Sequence, residues 1–189
     1  MKIVLASKSP RRSQLLRELG IRDFAVCPSL HEEEPDLSLA PEEAVKRISM
    51  AKCREVASRQ EPDTLVIAAD TLVYLEGKPL GKPVNKNEAK KMLSELSGRS
   101  HTVVTGLALS LNGREISEAE AARVNFREMT GRDIEWYIAT GEPMDKAGAY
   151  GIQGRGALFI SGIEGDFFTV MGLPLCRLAL ALGELGMDI

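Results

Sequence analysis

The chain has 189 residues, of which 44% are apolar, and a net charge of −3 at neutral pH. The apolar fraction is sufficient for a buried core and argues against a wholly disordered chain. The acidic balance argues against a nucleic-acid-binding protein, because contact with a phosphate backbone requires a broad basic surface. The three cysteines form no C-x-x-C pair, which argues against a structural zinc site and a disulfide framework.

The same features indicate where the protein works. Free thiols are typical of a reducing compartment. The apolar start is too short for a secretory signal, and no uninterrupted apolar run approaches the length of about 18 residues that a membrane span needs. We therefore expect a cytoplasmic protein without a membrane anchor.

The first half of the chain predicts a mixture of strands, helices and a hairpin. "IVLA" reads as a strand, and Ser9 and Pro10 then begin a helix as its cap and first residue. "DFAVCPS" predicts a short strand, and a helix follows from Pro41 to about Arg59. "TLVIAADTLVYLEGKPLGKP" predicts a buried strand that continues into a hairpin turning at Glu76-Gly77.

The second half predicts more hairpins. "NKNEAKKMLSELSG" is an amphipathic helix ended by Gly98, and Asn112-Gly113 predicts a tight turn between two strands. "TGRDIEWYIATGEP" predicts a short helix, "DKAGAYGIQGRGA" a glycine-rich loop, "LFISGIEGDFFTVMG" a hairpin and "LPLCRLALALGELG" a terminal helix. Without regular strand–helix alternation, we predict one domain over residues 1–189 with a mixed α/β fold and a largely antiparallel, mixed sheet.

The start of the first helix is a candidate anion site. In "SKSPRR", Ser7 and Ser9 supply hydroxyls, while Arg11 and Arg12 supply forked donors that match phosphate oxygens. The free N–H groups and dipole of a helix N-terminus also favour an anion. The alternative is a solvated cap with surface arginines.

Asp70 and Lys52 are the next candidates. Asp70 ends the apolar run "LVIAA", at a strand end where it could hold a cation or polarise a water, or merely cap a turn. Lys52 lies on the apolar stripe of Val45, Ile48 and Val56 in the second helix. A lysine there either extends outward to solvent or meets an anion.

Three weaker signals complete the set. Lys82 lies between Gly81 and Pro83 in the second of two Gly-Lys-Pro units. The acidic run Glu32–Glu34 beside His31 is either a solvated loop or the source of one metal ligand, with Asp70 as another. Gln153 in the glycine-rich loop carries an amide that can read a base edge, or it is a spectator on an ordered loop.

Together these residues describe a site for a metal-bound polyphosphate with a base attached. Hydrolysis of a phosphoanhydride requires neutralisation of phosphate charge, a metal and an activated water. The motifs "LASKSPRR", "AADT", "LGKP", "SGRSHTVVTG", "EPMDKAGAYGIQGRGA" and "VMGLPL", in this order, closely resemble the Maf family of nucleoside triphosphate pyrophosphatases. The resemblance extends from about Ile3 to the terminal helix.

The resemblance implies a fold and a reaction. The fold would be a mixed α/β structure with two lobes around a cleft, distantly similar to inosine triphosphate pyrophosphatases. The reaction would convert a nucleoside triphosphate to the monophosphate and pyrophosphate with Mg²⁺ or Mn²⁺. The forms "AADT" and "AYGIQG" look like the branch acting on dTTP and UTP, with CTP and modified pyrimidine nucleotides as further candidates, and unlike the branch that prefers 7-methyl-GTP.

The resemblance also assigns roles to residues. Ser7, Arg11 and Arg12 match the phosphate side, and Glu33, Lys52, Asp70 and Lys82 match the charged centre. Asp70 would accept a proton from the attacking water and, with Glu33, bind the metal; Glu33 is chosen by its place relative to Pro41 and Lys52. Arg12, Thr71 and Gln153 match positions linked to base preference. Phe167 and Phe168 depart from the family pattern, which commonly has tyrosine there.

Other functions remain open on the sequence alone. One is a phosphohydrolase that releases orthophosphate from sugar phosphates. Another is a nucleotide-sensing regulator of cell division without turnover, since the family has been connected with inhibition of septum formation. The water-activating carboxylate favours catalysis, because a sensor does not need one. The apolar terminal helix and the family resemblance imply a homodimer.

Overall fold

The computed structural model describes residues 1–30 and 34–187. The strands are β1 Lys2–Leu5, β2 Ala25–Val26, β3 Thr64–Leu75, β4 Lys78–Leu80, β5 Ser100–Leu111, β6 Arg114–Phe126 and β7 Ile160–Glu164. The α-helices are α1 Pro10–Glu18, α2 Pro41–Ala57, α3 Lys86–Leu96, α4 Gly131–Ala139, α5 Phe167–Met171 and α6 Leu175–Glu184. Short 3₁₀ turns lie at Glu142–Asp145, Ala147–Ala149 and Gly154–Phe159. None of the helices in the described ranges combines the length and apolar content that crossing a bilayer requires.

The strands form one mixed sheet, which confirms the predicted fold class. Their order is β2-β1-β3-β5-β6-β7, with β4 paired to β3 off this path. β1 pairs in parallel with β2 and with β3, whereas β4 pairs antiparallel with β3 and β7 antiparallel with β6. The helices α1 and α2 lie in the connections between the parallel strands, and a short turn at Glu76-Gly77 joins the antiparallel pair β3 and β4. The antiparallel pair β6 and β7 is joined by a longer segment that contains α4.

Local sequence signals place most of these elements correctly. Ser9 caps α1 by accepting a hydrogen bond from the N–H of Arg12, and Pro10 is the first helical residue. The turns predicted at Glu76-Gly77 and Asn112-Gly113 are present, and all four residues have positive φ. Such φ values match the twist of a tight hairpin.

The predicted hairpin over Leu158–Gly172 is wrong in its second half. β7 is followed by the short helix α5 instead of a second strand. Asp166 provides the cause: one oxygen accepts hydrogen bonds from the N–H and hydroxyl of Thr169, each 2.7 Å long, and the other accepts from the N–H of Phe168 at 3.3 Å. A side chain that satisfies these free N–H groups begins a helix.

The described residues divide into two compact units. The first comprises Met1–Thr71, Thr105–Glu120 and Gly172–Ile189, and the second comprises Leu72–Val104 and Ala121–Met171. In the first unit the predicted stripe of α2 is buried, with Val45 and Val56 fully inaccessible. In the second unit α3 and α4 contribute to one apolar cluster with the ends of β3, β5 and β6.

Gly106 in β5 allows the strand to lie directly against the backbone of α2. A Cβ at this position would lie 2.2 Å from the carbonyl oxygen of Val45 and 2.9 Å from Oγ of Ser49. Backbone atoms cannot rotate away as a flexible side chain can, so any larger residue must separate the two elements. The first unit therefore depends on glycine here.

We expect Gly106→Ala to lower the free energy of unfolding by about 3 kcal/mol, the cost of overpacking a rigid interior. Chemical denaturation measures this quantity. Gly183→Ala in α6 is the matched control, because its Cβ would meet nothing within 4 Å. That control should leave stability unchanged or raise it by up to about 1 kcal/mol, since alanine favours helix. Equal stabilities of the two variants would contradict this interpretation.

His101 is a buried titratable group in the second unit. Its Nε2 lies 2.7 Å from the hydroxyl of Tyr150, and its ring packs edge-on against Phe126 and Tyr150. Nδ1 is buried and has no hydrogen-bond partner among the described residues. Burial lowers the pKa of His101 from 6.5 to about 4, so the folded protein holds the ring neutral at pH 7.

This burial predicts a loss of stability in acid. Between pH 6.5 and about 4 the unfolded chain binds a proton at His101 that the folded chain does not. The free energy of unfolding therefore decreases as the pH is lowered through that window. At pH 5 the contribution is about 2 kcal/mol. His101→Gln has no titrating group at this position. Between pH 7 and pH 5 its free energy of unfolding should therefore fall by about 2 kcal/mol less than that of the parent protein. Identical pH slopes for the two proteins would disprove the prediction.

Candidate active site

Arg12 is the centre of a hydrogen-bonded network in the first unit. Its Nε donates to the carbonyl oxygen of Gly172 at 2.7 Å. Its two terminal nitrogens donate to Oγ of Ser7 and to Oγ1 of Thr71, each at 3.0 Å. The network therefore joins the loop between β1 and α1, the first turn of α1, the middle of β3 and the residue after α5.

The charges around α1 match the expected excess of cations. The first turn contains no acidic residue. Burial lowers the pKa of Arg12, the charge of Asp70 opposes that shift, and the charge of Arg11 adds to it. An arginine nevertheless stays protonated at neutral pH. The repulsion between the two arginines is thus offset partly within the protein, by Asp70 and by the acceptors that Arg12 binds.

Thr105 extends this network, and sequence reasoning did not single it out. Its Oγ1 lies 2.9 Å from Oγ1 of Thr71, and the residue is fully buried in β5. Gly172 was also missed as an individual residue. A Cβ there would lie 3.1 Å from Oγ1 of Thr71, and its φ of +103° favours glycine. A polar residue within the apolar run "TVVTGLAL" is the signal that could have indicated Thr105.

Lys52 and Asp70 form an ion pair. Of the two alternatives predicted for Lys52, extension to solvent or contact with an anion, the structure shows the second. Nζ of Lys52, on the buried stripe of α2, donates to Oδ1 of Asp70. Asp70 lies near the middle of β3, so the prediction that it ends a strand is wrong, because the strand continues to Leu75. Their side chains are 22% and 16% exposed. The pair is therefore shielded from most water but still accessible, as a reacting carboxylate must be. Asp70 directly precedes Thr71, which connects the ion pair to the network of Arg12.

The structure assigns two of the remaining predicted residues to the second unit. Lys82 is exposed between β4 and α3, and Gln153 is half-buried just before the last 3₁₀ turn; both belong to the second unit. Glu33 lies outside the described residues. The structure thus brings together Ser7, Arg12, Lys52, Asp70 and Thr71 in one unit, with Arg11 close enough to act on the charge of Arg12.

Comparison with known proteins decides the family. The family model described as "Maf-like protein" matches residues 2–185. The chain belongs to the Maf family. This match includes residues from both units and all of the motifs quoted above.

Individual members of the Maf family are closely similar over their whole length. A protein from Moorella thermoacetica is 50% identical over 190 residues, which cover 100% of this chain and 97% of the relative. A protein from Methanosarcina mazei is 48% identical over 100% of this chain and 96% of the relative. Both are named dTTP/UTP pyrophosphatase.

A solved structure supports the fold alone. A HAM1 protein from Coxiella burnetii superposes with a TM-score of 0.57 over 97% of this chain and 99% of the other, at 18% identity. Such similarity at low identity shows a shared fold. It agrees with the mixed sheet and its flanking helices.

The described residues offer a carboxylate that could contribute to holding a divalent cation. No group of three or more histidine, cysteine, aspartate or glutamate side chains that could hold a metal occurs within residues 1–30 and 34–187. In the described part of the chain, Asp70 supplies a carboxylate to this network. Mg²⁺ is commonly held by one or two carboxylates together with substrate phosphates. Membership of the Maf family suggests a requirement for a divalent metal without specifying which one.

Proposed function

We propose that this protein hydrolyses dTTP and UTP to the nucleoside monophosphate and pyrophosphate. The observation that carries the proposal is the Lys52–Asp70 ion pair, one residue along β3 from the hydroxyl that binds Arg12. A partly shielded carboxylate close to cations suits an anionic substrate that must be attacked by water. Relatives between 42% and 50% identical carry this activity in their names.

In the proposed mechanism Asp70 accepts a proton from the water that attacks the α-phosphorus. Lys52 holds the carboxylate through Oδ1, and Oδ2 would take up the proton. Arg11, Arg12 and Ser7 stabilise negative charge on the phosphates, while the bond to the bridging oxygen breaks and pyrophosphate leaves. A divalent cation, Mg²⁺ or Mn²⁺, would neutralise phosphate charge and favour deprotonation of the water.

The other predicted roles belong to the same proposal and rest on the resemblance of their motifs. Glu33 would join Asp70 as a metal ligand, Lys82 would stabilise charge, and Thr71 and Gln153 would influence the choice of base. We also propose that both units act as one functional domain, that the protein is a homodimer, and that it works in a reducing cytoplasm. Three free cysteines support the last point.

A screen of nucleoside triphosphates with Mg²⁺ and with Mn²⁺, scored by pyrophosphate release, tests the proposal. We expect dTTP and UTP to be the best substrates. Preference for purine triphosphates or 7-methyl-GTP would overturn the substrate assignment. Tight binding of dTTP or UTP without turnover would favour the sensing alternative, and release of orthophosphate would favour a different phosphohydrolase.

A further inference from the structure

A second polar network, which the proposed mechanism does not use, surrounds the loop that carries Gln153. The Oε1 atom of Glu142 accepts hydrogen bonds from the hydroxyl of Tyr137 at 2.9 Å and from the N–H of Gly156 at 3.1 Å. Its Oε2 accepts from the N–H of Arg155 at 3.0 Å. The hydroxyl of Tyr137 in turn accepts from the N–H of Gly151 at 3.1 Å.

The loop backbone closes tightly on these two side chains. At Gly154, where φ is +75°, a Cβ would lie 2.9 Å from Oε2 of Glu142. At Gly156 a Cβ would lie 2.6 Å from the hydroxyl of Tyr137 and 2.3 Å from the carbonyl oxygen of Gly151. The glycines are therefore needed for close approach of the loop to Glu142 and Tyr137, not for flexibility.

The Glu142 carboxylate is ionised and binds the backbone of the loop. Burial alone would raise the pKa of Glu142, but hydrogen bonds from the N–H groups of Arg155 and Gly156 and from Tyr137, with the charge of Lys146, lower it overall. The carboxylate is thus ionised at neutral pH, and both of its oxygens are engaged. Tyr137 is fully buried, which raises its pKa, so its hydroxyl stays protonated and donates to Glu142.

We propose that Glu142 and Tyr137 are positioning residues that set the choice of nucleobase, by fixing the backbone on both sides of Gln153. They anchor residue 151 before Gln153 and residues 155 and 156 after it. The proposal rests on the proposed function, in which the Gln153 amide contacts the base. An amide held in one orientation presents its donor and acceptor at fixed positions. An amide that turns freely can pair with either arrangement of donor and acceptor on a base edge.

Steady-state kinetics with UTP and GTP test this role. We expect Glu142→Gln and Tyr137→Phe each to reduce the ratio of kcat/KM for UTP over GTP by about tenfold, mainly through a higher KM for UTP. Gln153→Ala should reduce the same ratio. In that background, adding Glu142→Gln should change the ratio by less than about twofold, because residues acting through one another are not additive. Glu135→Gln, an exposed carboxylate on α4, is the matched control and should keep the ratio of the parent protein.

Amide hydrogen exchange of residues 150–157 gives a readout that needs no turnover. These amides should exchange slowly in the parent protein and in Glu135→Gln, and faster in Glu142→Gln. If the parent protein releases no pyrophosphate from UTP, the proposed function fails whatever the exchange shows. If the parent protein is selective, the proposal is overturned by a folded Glu142→Gln with unchanged selectivity, by an equal loss for UTP and GTP, or by additive effects with Gln153→Ala. Should Glu142→Gln not fold, Tyr137→Phe decides by the same criteria.

Discussion

Replacing Asp70 by asparagine is expected to lower kcat for UTP by about 10²–10⁴-fold, the range that loss of a positioned general base produces. Asparagine keeps the shape of the side chain but cannot take up the proton from water. It also leaves Lys52 without its ion-pair partner. Measurement of pyrophosphate release at saturating UTP gives kcat directly.

A matched control separates this effect from a general loss of charge. Asp23→Asn changes an exposed aspartate just before β2 and should leave kcat unchanged. Thermal unfolding of both variants establishes that each is folded at the assay temperature. A folded Asp70→Asn with kcat near that of the parent protein would remove Asp70 from the mechanism.

Replacing Arg12 by lysine is expected to reduce kcat/KM for UTP by about 10²–10³-fold, although the positive charge is retained. One ammonium group cannot reproduce the planar fork that binds Ser7, Thr71 and Gly172 together. The free energy of unfolding should fall by about 2 kcal/mol, because partly buried acceptors lose charged donors. Steady-state kinetics and chemical denaturation measure the two effects.

The control for Arg12→Lys lies on the same helix. Arg17 is exposed and contacts the ring of Phe24, a contact that lysine can also make. Arg17→Lys should therefore change neither activity nor stability. If Arg12→Lys behaved in the same way, the network around Arg12 would have no functional importance.

Much of the fold could be predicted because its signals are local. The cap and first residue of α1 are neighbours in sequence, and the turn at Asn112-Gly113 depends on two adjacent residues. The position of Lys52 on the stripe of α2 also follows from helical spacing alone. Helix α5 was missed because its cap, Asp166, follows a strand and a glycine, which are equally typical of a hairpin.

The candidate site was predictable in its charges but not in its connections. Arg12 and its partner Gly172 are 160 positions apart, and Thr71 and Thr105 are 34 apart. No periodicity or local motif reports such contacts, because they depend on how distant elements pack. Glu142 was missed for a related reason: its hydrogen bonds to the N–H groups of residues 155 and 156 depend on the path of the loop backbone.

In the proposed reaction, water attacks the α-phosphorus of a pyrimidine nucleoside triphosphate and pyrophosphate leaves intact. Hydrolysis of UTP in water enriched in a heavy oxygen isotope, followed by mass spectrometry of the products, tests this most directly. We predict that the heavy oxygen appears in UMP and not in pyrophosphate. Heavy oxygen in pyrophosphate, or products consisting of UDP and orthophosphate, would show that water does not attack the α-phosphorus.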